Sequence, residues 1–187
     1  MSYFRGKKAT VVNVNFTSTG TIVYSYLPII KEKNDVKPFA ELKSSSDLSV
    51  VTAGIDKKLP VCLCLEGSKI INRELASSSD RTDSDLLNTI FPSASLKDFY
   101  VQKDMLDSSR LLVSIIRKDI LDGVLDAFND SGVTVVAADI GIGAFTSIVR
   151  LLPEANEYRC GNFTLTIIDK ESISCERIVS DDVFVYE

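Results

Sequence analysis

The stretch RKDILDGVLDAFNDSGVTVVAADI, residues 117–140, constrains the fold more than any other part of the chain. Ile120, Leu121, Val124, Leu125 and Phe128 recur at helical spacing, so they share one face of an amphipathic helix. Asp119 and Asp122 lie near its start, where carboxylates favour the positive end of the helix dipole. Gly132 is placed to end it, because a residue without Cβ adopts the left-handed conformation at little cost. VTVVAADI (133–140) then reads as a strand.

The flanking chain reads as strand-rich. ATVVNVNF (9–16) and TIVYSYL (21–27) form a hairpin about the turn Thr17-Ser18-Thr19-Gly20. Pro38 argues against a long element in the mixed stretch that follows, and Asp47 can start a short helix through DLSVVTAGI. LPVCLCLEG (59–67) and SKIINREL (68–75) read as adjacent strands turning at Gly67-Ser68. After a polar loop, Thr82 and Asp85 have the spacing of a capping box. Leu86, Leu87, Ile90 and Phe91 complete a short helix that Pro92 stops. DFYVQKDML (98–106) and SRLLVSIIR (109–117) form a second hairpin. From Lys69 onward the order is β-α-β-β-α-β, the ferredoxin-like split βαβ pattern. A weak helix, GAFTSIVRLL, and the runs NFTLTIID, SISCERIV and DVFVYE close the chain, with Lys170-Glu171 turning the first two into a hairpin.

Composition removes much chemistry. The chain has no histidine, which excludes Ser-His-Asp and Cys-His mechanisms and imidazole metal sites. A net charge of −5 lacks the basic footprint of nucleic-acid binding. Cys62, Cys64, Cys160 and Cys175 form no CxxC, so they read as buried free thiols in a reducing compartment. No signal peptide and no apolar run long enough for a membrane span is visible, which gives the expectation of a soluble, cytoplasmic chain. Asp119, Asp122, Asp126 and Asp130 follow one another at spacings that place them on one helix face. A solvated stripe opposite the core accounts for them without metal, and Asp80, Asp83, Asp85 and Asp181-Asp182 read as surface loop and turn.

One motif resembles a phosphate loop. Asp139-Ile-Gly141-Ile-Gly143 leaves a strand, and glycines there can bring backbone N–H groups to an anion. Thr146 stands where a third glycine of the dinucleotide fingerprint belongs, and no acidic residue follows in a second strand. Gly141 and Gly143 therefore read as a turn. No catalytic, cofactor-binding or metal-binding residue is nominated, and no cofactor is expected.

The order of elements over about residues 60–150 resembles the cytoplasmic assembly proteins of type IV pili and type II secretion systems, the PilM and GspL kind. Arg117-Lys118-Asp119, Gly132, Asp139 and Ala144 fall where that pattern expects them. The resemblance implies an α/β (α+β) fold: an actin-like (RNase H-like) subdomain carrying an inserted ferredoxin-like βαββαβ unit. It gives the division 1–59 (N-terminal hairpin region), 60–140 (inserted unit) and 141–187 (return with a C-terminal hairpin). It also implies a scaffold that links an inner-membrane platform protein to an assembly ATPase, touching the membrane only through partners. In the place of the Asp-x-Gly phosphate loop of actin-like ATPases, however, Asn13 replaces the acid and Asn15 the glycine.

Two functions follow. The first is a non-catalytic cytoplasmic interaction module, with binding by sheet-edge pairing or an apolar groove and homodimerisation open by the same modes. The second is a nucleotide-binding actin-like or sugar-kinase-like ATPase, which needs Asn13, Asn15, Thr17 and Ser18 to share a pocket with Gly141 and Gly143. A sensory domain on a ferredoxin-like core is a third alternative.

Overall fold

The computed structural model describes residues 8–32, 35–77 and 80–143, and the backbone of three strands at 157–160, 163–169 and 172–177. Strand β1 (Lys8–Phe16) alternates from Val11 onward: Val12, Val14 and Phe16 point to one face, Val11, Asn13 and Asn15 to the other. It pairs antiparallel with β2 (Ile22–Glu32), which in turn carries two short edge strands, β3 (Asp35–Pro38) and β4 (Lys43–Ser45). Strand β2 runs past the expected end at residue 27. Pro28 is accommodated because it falls between the stretch that pairs with β4 and the stretch that pairs with β3. Helix α1 (Leu48–Gly54) starts at Asp47, whose carboxylate accepts the Ser49 N–H at 2.8 Å.

The chain then enters β5 (Val61–Gly67), which lies parallel to β1. Beyond it come β6 (Ile70–Ala76), α2 (Asp83–Ile90), β7 (Phe99–Met105), β8 (Arg110–Arg117), α3 (Lys118–Asp130) and β9 (Val135–Ile140). The Thr82–Asp85 capping box forms as expected, and Gly132 takes a φ of +73° just past α3. The major sheet has the order β3-β2-β1-β5-β9, with β4 beside β2. Val12, Val14, Phe16, Leu63 and Leu65 bury one of its faces against Val51 of α1 and Leu121, Val124 and Phe128 of α3. Both helices thus cover the same side. An antiparallel meander followed by two parallel strands, each reached through a helix, is the RNase H-like arrangement of actin-like domains.

The strands of the expected βαββαβ unit divide between two sheets. β5 and β6, read from the sequence as adjacent, do not pair. Gly67 turns at φ +101° and the Ser68 N–H bonds the Phe16 carbonyl, which swings the chain out of the major sheet. β6, β8 and β7 form a separate three-stranded antiparallel sheet, packed by Leu86 and Leu87 of α2 against Leu111, Val113 and Ile115. β9 pairs with β5 rather than with β6, so that β5 lies between two parallel neighbours, β1 and β9, and its backbone is hydrogen-bonded on both sides. The excursion from the major sheet therefore runs from β6 to β8.

Further on, β10 (Glu157–Cys160), β11 (Phe163–Asp169) and β12 (Ser172–Arg177) form an antiparallel meander. Its second half is the hairpin expected around 170–171. The expected helix GAFTSIVRLL, apart from Gly143, and the run DVFVYE lie outside the described residues.

Candidate functional site

The surroundings of the Asp139–Gly143 turn decide whether it can hold phosphate. Gly141 follows β9 with φ +67°, and its N–H bonds the Leu65 carbonyl at 2.8 Å, extending the β5–β9 ladder. A Cβ on Gly141 would run into Asn72 Oδ1 and Ser114 Oγ, and one on Gly143 into the Asp104 carboxylate. The Cβ side of both glycines is therefore occupied by side chains of the small sheet. Those side chains are built for the place. Asn72, Ser114 and Gln102 lie opposite one another on β6, β8 and β7, as one row across that sheet. Ser114 is wholly buried and donates to Asn72 Oδ1 at 2.7 Å. Gln102 accepts the Ile140 N–H at 2.9 Å and donates to Asp104 at 3.1 Å. A polar row in the small sheet thus satisfies backbone at the edge of the major sheet, where an unpaired N–H would otherwise be costly. No local pattern in the sequence singles out this row. Its one visible signal is Ser114, a polar residue inside the buried run LLVSII.

The first hairpin is engaged elsewhere. The Asn13 amide donates to Glu66 at 2.7 Å, tying β1 to β5. Within the turn, the Thr17 N–H bonds the Thr21 carbonyl and the Gly20 N–H bonds the Thr17 carbonyl. Ser68 Oγ closes on the Thr17 carbonyl at 2.9 Å. Asn15 faces Gly67 and not the Gly141 turn. These are the bonds of a closed turn, in which the Thr17 and Gly20 amides already have backbone partners.

On the sheet face away from α1 and α3, Cys62 and Cys64 stand opposite Ala137 and Asp139. Both are free thiols. Burial, with the Asp139 carboxylate second, pushes Cys64 up to about 12, and the same causes raise Cys62. Asp139 keeps over a third of its surface open, yet its packed surroundings still raise its carboxyl. A thiol held protonated is a poor nucleophile, because the thiolate is the reactive form. Among the described residues no three Cys, Asp or Glu side chains converge to hold a metal ion. Asp119 instead forms a two-pronged pair with Arg117, Asp85 caps α2 and Asp83 pairs with Lys103 at 2.7 Å.

Two grooves flank Ile120 of α3. One, of about 240 Å³, lies between α3 and the β1–β2 hairpin, floored by Phe16, Ile22, Tyr24 and Phe128. The other, of about 330 Å³, lies between the start of α3 and the small sheet, with Ile71, Phe91, Phe99 and Ile116 in its walls. Among the described residues no helix is long and apolar enough to cross a membrane.

No family model matches the sequence, and no curated protein matches it. Solved structures do match in fold. The chain is similar to the cytoplasmic domain of EpsL, an inner membrane component of the type II secretion system of Vibrio cholerae. That likeness has 14% identity and a TM-score of 0.53, and it covers 90% of this chain and 71% of that one. It is also similar to a chain of the PilM–PilN type IV pilus biogenesis complex, with 12% identity and a TM-score of 0.56. There it covers 93% of this chain but spans only 59% of the other. The fold is the actin-like α/β fold of these two assembly proteins, at a wide sequence distance from both.

Proposed function

We propose that the chain is a non-catalytic interaction module of a secretion or pilus-like envelope assembly. It works in the cytoplasm at the inner face of the membrane, and it contacts an assembly ATPase or an inner-membrane platform protein. The observation that supports this reading is the crowding of the glycine turn. Asn72, Ser114 and Asp104 fill the space over Gly141 and Gly143, while the Thr17–Thr21 turn closes on itself. The likeness in fold to EpsL and to the PilM–PilN complex supports an assembly role rather than turnover of nucleotide.

Thermal unfolding with and without millimolar Mg-ATP tests it. A ligand present at a hundred times its Kd stabilises by about 2.7 kcal/mol, worth roughly 5–10 °C for a domain of this size. The expected shift is nil. A reproducible rise of several degrees would establish a nucleotide site and sink the scaffold reading in favour of an actin-like ATPase.

A further inference from the structure

At the outer edge of the major sheet, β3 and β4 follow one another along β2, and the chain that joins them does not fit beside it. Ile29 pairs with Pro38 and Tyr26 with Lys43, so β2 offers two residues, Leu27 and Pro28, to the four residues 39–42. The Phe39 N–H still bonds the Pro28 carbonyl at 3.1 Å, and the surplus chain leaves the edge from there. It carries apolar side chains into solvent: Phe39 is 44% exposed and Leu42 63%, with Val36 of β3 at 51%. Three such residues within seven positions are a patch rather than scattered single exposures. Lysines surround them. Exposed Lys37 and Lys43 bracket the loop, and the Lys8 ammonium sits over the Phe39 ring, 4.9 Å from its centre. Lys8, Ile30 and Lys37 lie abreast across β1, β2 and β3. Glu32 and Glu41 stand exposed among the lysines, Glu32 in a pair with Lys37 at 3.6 Å. The bias extends along the chain. Up to Lys43 it carries seven Lys or Arg and three Asp or Glu, a net +4, while the remainder carries fourteen against twenty-three, a net −9. Such asymmetry within one chain suits the basic end to an anionic surface.

We infer that this edge docks directly on an anionic lipid bilayer, with Phe39 and Leu42 entering the headgroup region and the lysines meeting lipid phosphates. The inference rests on the proposed place at the inner face of the membrane, and gives that place a direct contact. Apolar side chains gain by leaving water at the interface. Lysines beside them lay their stems along the apolar surface and keep their ammonium groups at headgroup level. Reversible attachment of this kind draws on an apolar and a basic signal together, and both are present here. A strand of another protein is the poorer occupant, because Lys37 and Pro38 blunt β3 against edge pairing.

Flotation of the whole chain with vesicles tests this, using phosphatidylcholine alone and phosphatidylcholine mixed with phosphatidylglycerol. Binding is expected to the mixed vesicles only, and it should fall as salt rises. The double variant Phe39→Ser, Leu42→Ser should weaken it roughly tenfold or more. The double variant Lys37→Gln, Lys43→Gln should weaken it several-fold and flatten its salt dependence. All four side chains are exposed, so both variants should keep the parent's melting temperature. The chain has no tryptophan, so Phe39→Trp reports on its own position. Its emission should shift to the blue with mixed vesicles, while that of Thr19→Trp, exposed in the turn at the other end of β1, should not. Failure to bind the mixed vesicles, equal binding to both kinds, binding indifferent to the Phe39 and Leu42 substitutions, or equal shifts from both reporters would each overturn the inference. So would a dimer in sedimentation that those two substitutions split, which would assign the patch to a second copy of the chain. None of these outcomes touches the nucleotide titration, on which the interaction-module reading stands or falls separately.

Discussion

Gly141 stands where three demands meet: a left-handed φ of +67°, an N–H that extends a sheet ladder, and a surface pressed by Asn72 and Ser114. An alanine there meets backbone strain of about 1 kcal/mol and displaces a buried hydrogen-bonded pair as well. Gly141→Ala should cost about 2–4 kcal/mol in urea denaturation. Gly20→Ala, at φ +85° with open space around it, should cost about 1 kcal/mol. Equal losses would mean that the Asn72–Ser114 contact adds nothing. The thiols give a second test. With Cys64 held at about 12, only roughly one molecule in ten thousand carries its thiolate at pH 8. Site-resolved iodoacetamide labelling of the folded chain should find Cys64 the slower of the β5 pair, speeding as pH rises toward 12 or on unfolding. Labelling at the rate of a free thiol would contradict this burial. The sequence made the Gly141–Gly143 pair visible and could not explain it. Both glycines precede any recognisable motif partner, and the side chains that require them lie on strands far away in the chain.

Single elements were the most legible level, because they depend on neighbours a few residues away. The α3 stripe, the Thr82–Asp85 box and the β7–β8 hairpin all form as their local patterns dictate. The hairpin turn hides a stabilising device that pattern alone does not announce. Asp107 accepts the N–H groups of Ser109 and Arg110, together with the Arg110 guanidinium and the Ser109 hydroxyl. The Ser109 N–H and the Arg110 side chain foremost hold its carboxyl at about 2, against an ordinary 3.8. A carboxyl depressed by folding stabilises the folded state above its unfolded value and loses that contribution as pH falls through the folded one. Stability should therefore decline between about pH 4 and pH 2, and less steeply in Asp107→Asn, which has no proton to take up there. Urea midpoints for the two proteins across that range would show it. Parallel slopes would remove Asp107 as a contributor.

At the scale of the whole molecule, sequence order misleads because contiguity in the chain is not contiguity in a sheet. The β-α-β-β-α-β succession is real, yet β9 reaches back to β5 while β6, β7 and β8 pair among themselves. Alternation within LPVCLCLEG and VTVVAADI says which residues turn inward. It does not say which strand lies alongside, a choice made by long-range pairing. We propose that the residues between β5 and α3 are an appendage leaning on the larger core. Its own cluster is small, and its polar row faces Ile140–Gly143. Residues 68–117 expressed alone should give the collapsed amide spectrum of an unfolded chain, since pieces of this size are marginal without a partner surface. A dispersed spectrum would make the appendage an autonomous domain. The same layout bears on how the chain finds its structure. Val61 and Val135 meet across about seventy residues, a contact whose entropy of closure a floppy loop would make slow to recover. We propose that the hairpins between them form first, from near neighbours, and shorten that tether before it closes. The small sheet thereby becomes a kinetic bridge: weakening the β7–β8 turn should slow the joining of β9 to β5, a step in which that turn has no bond of its own.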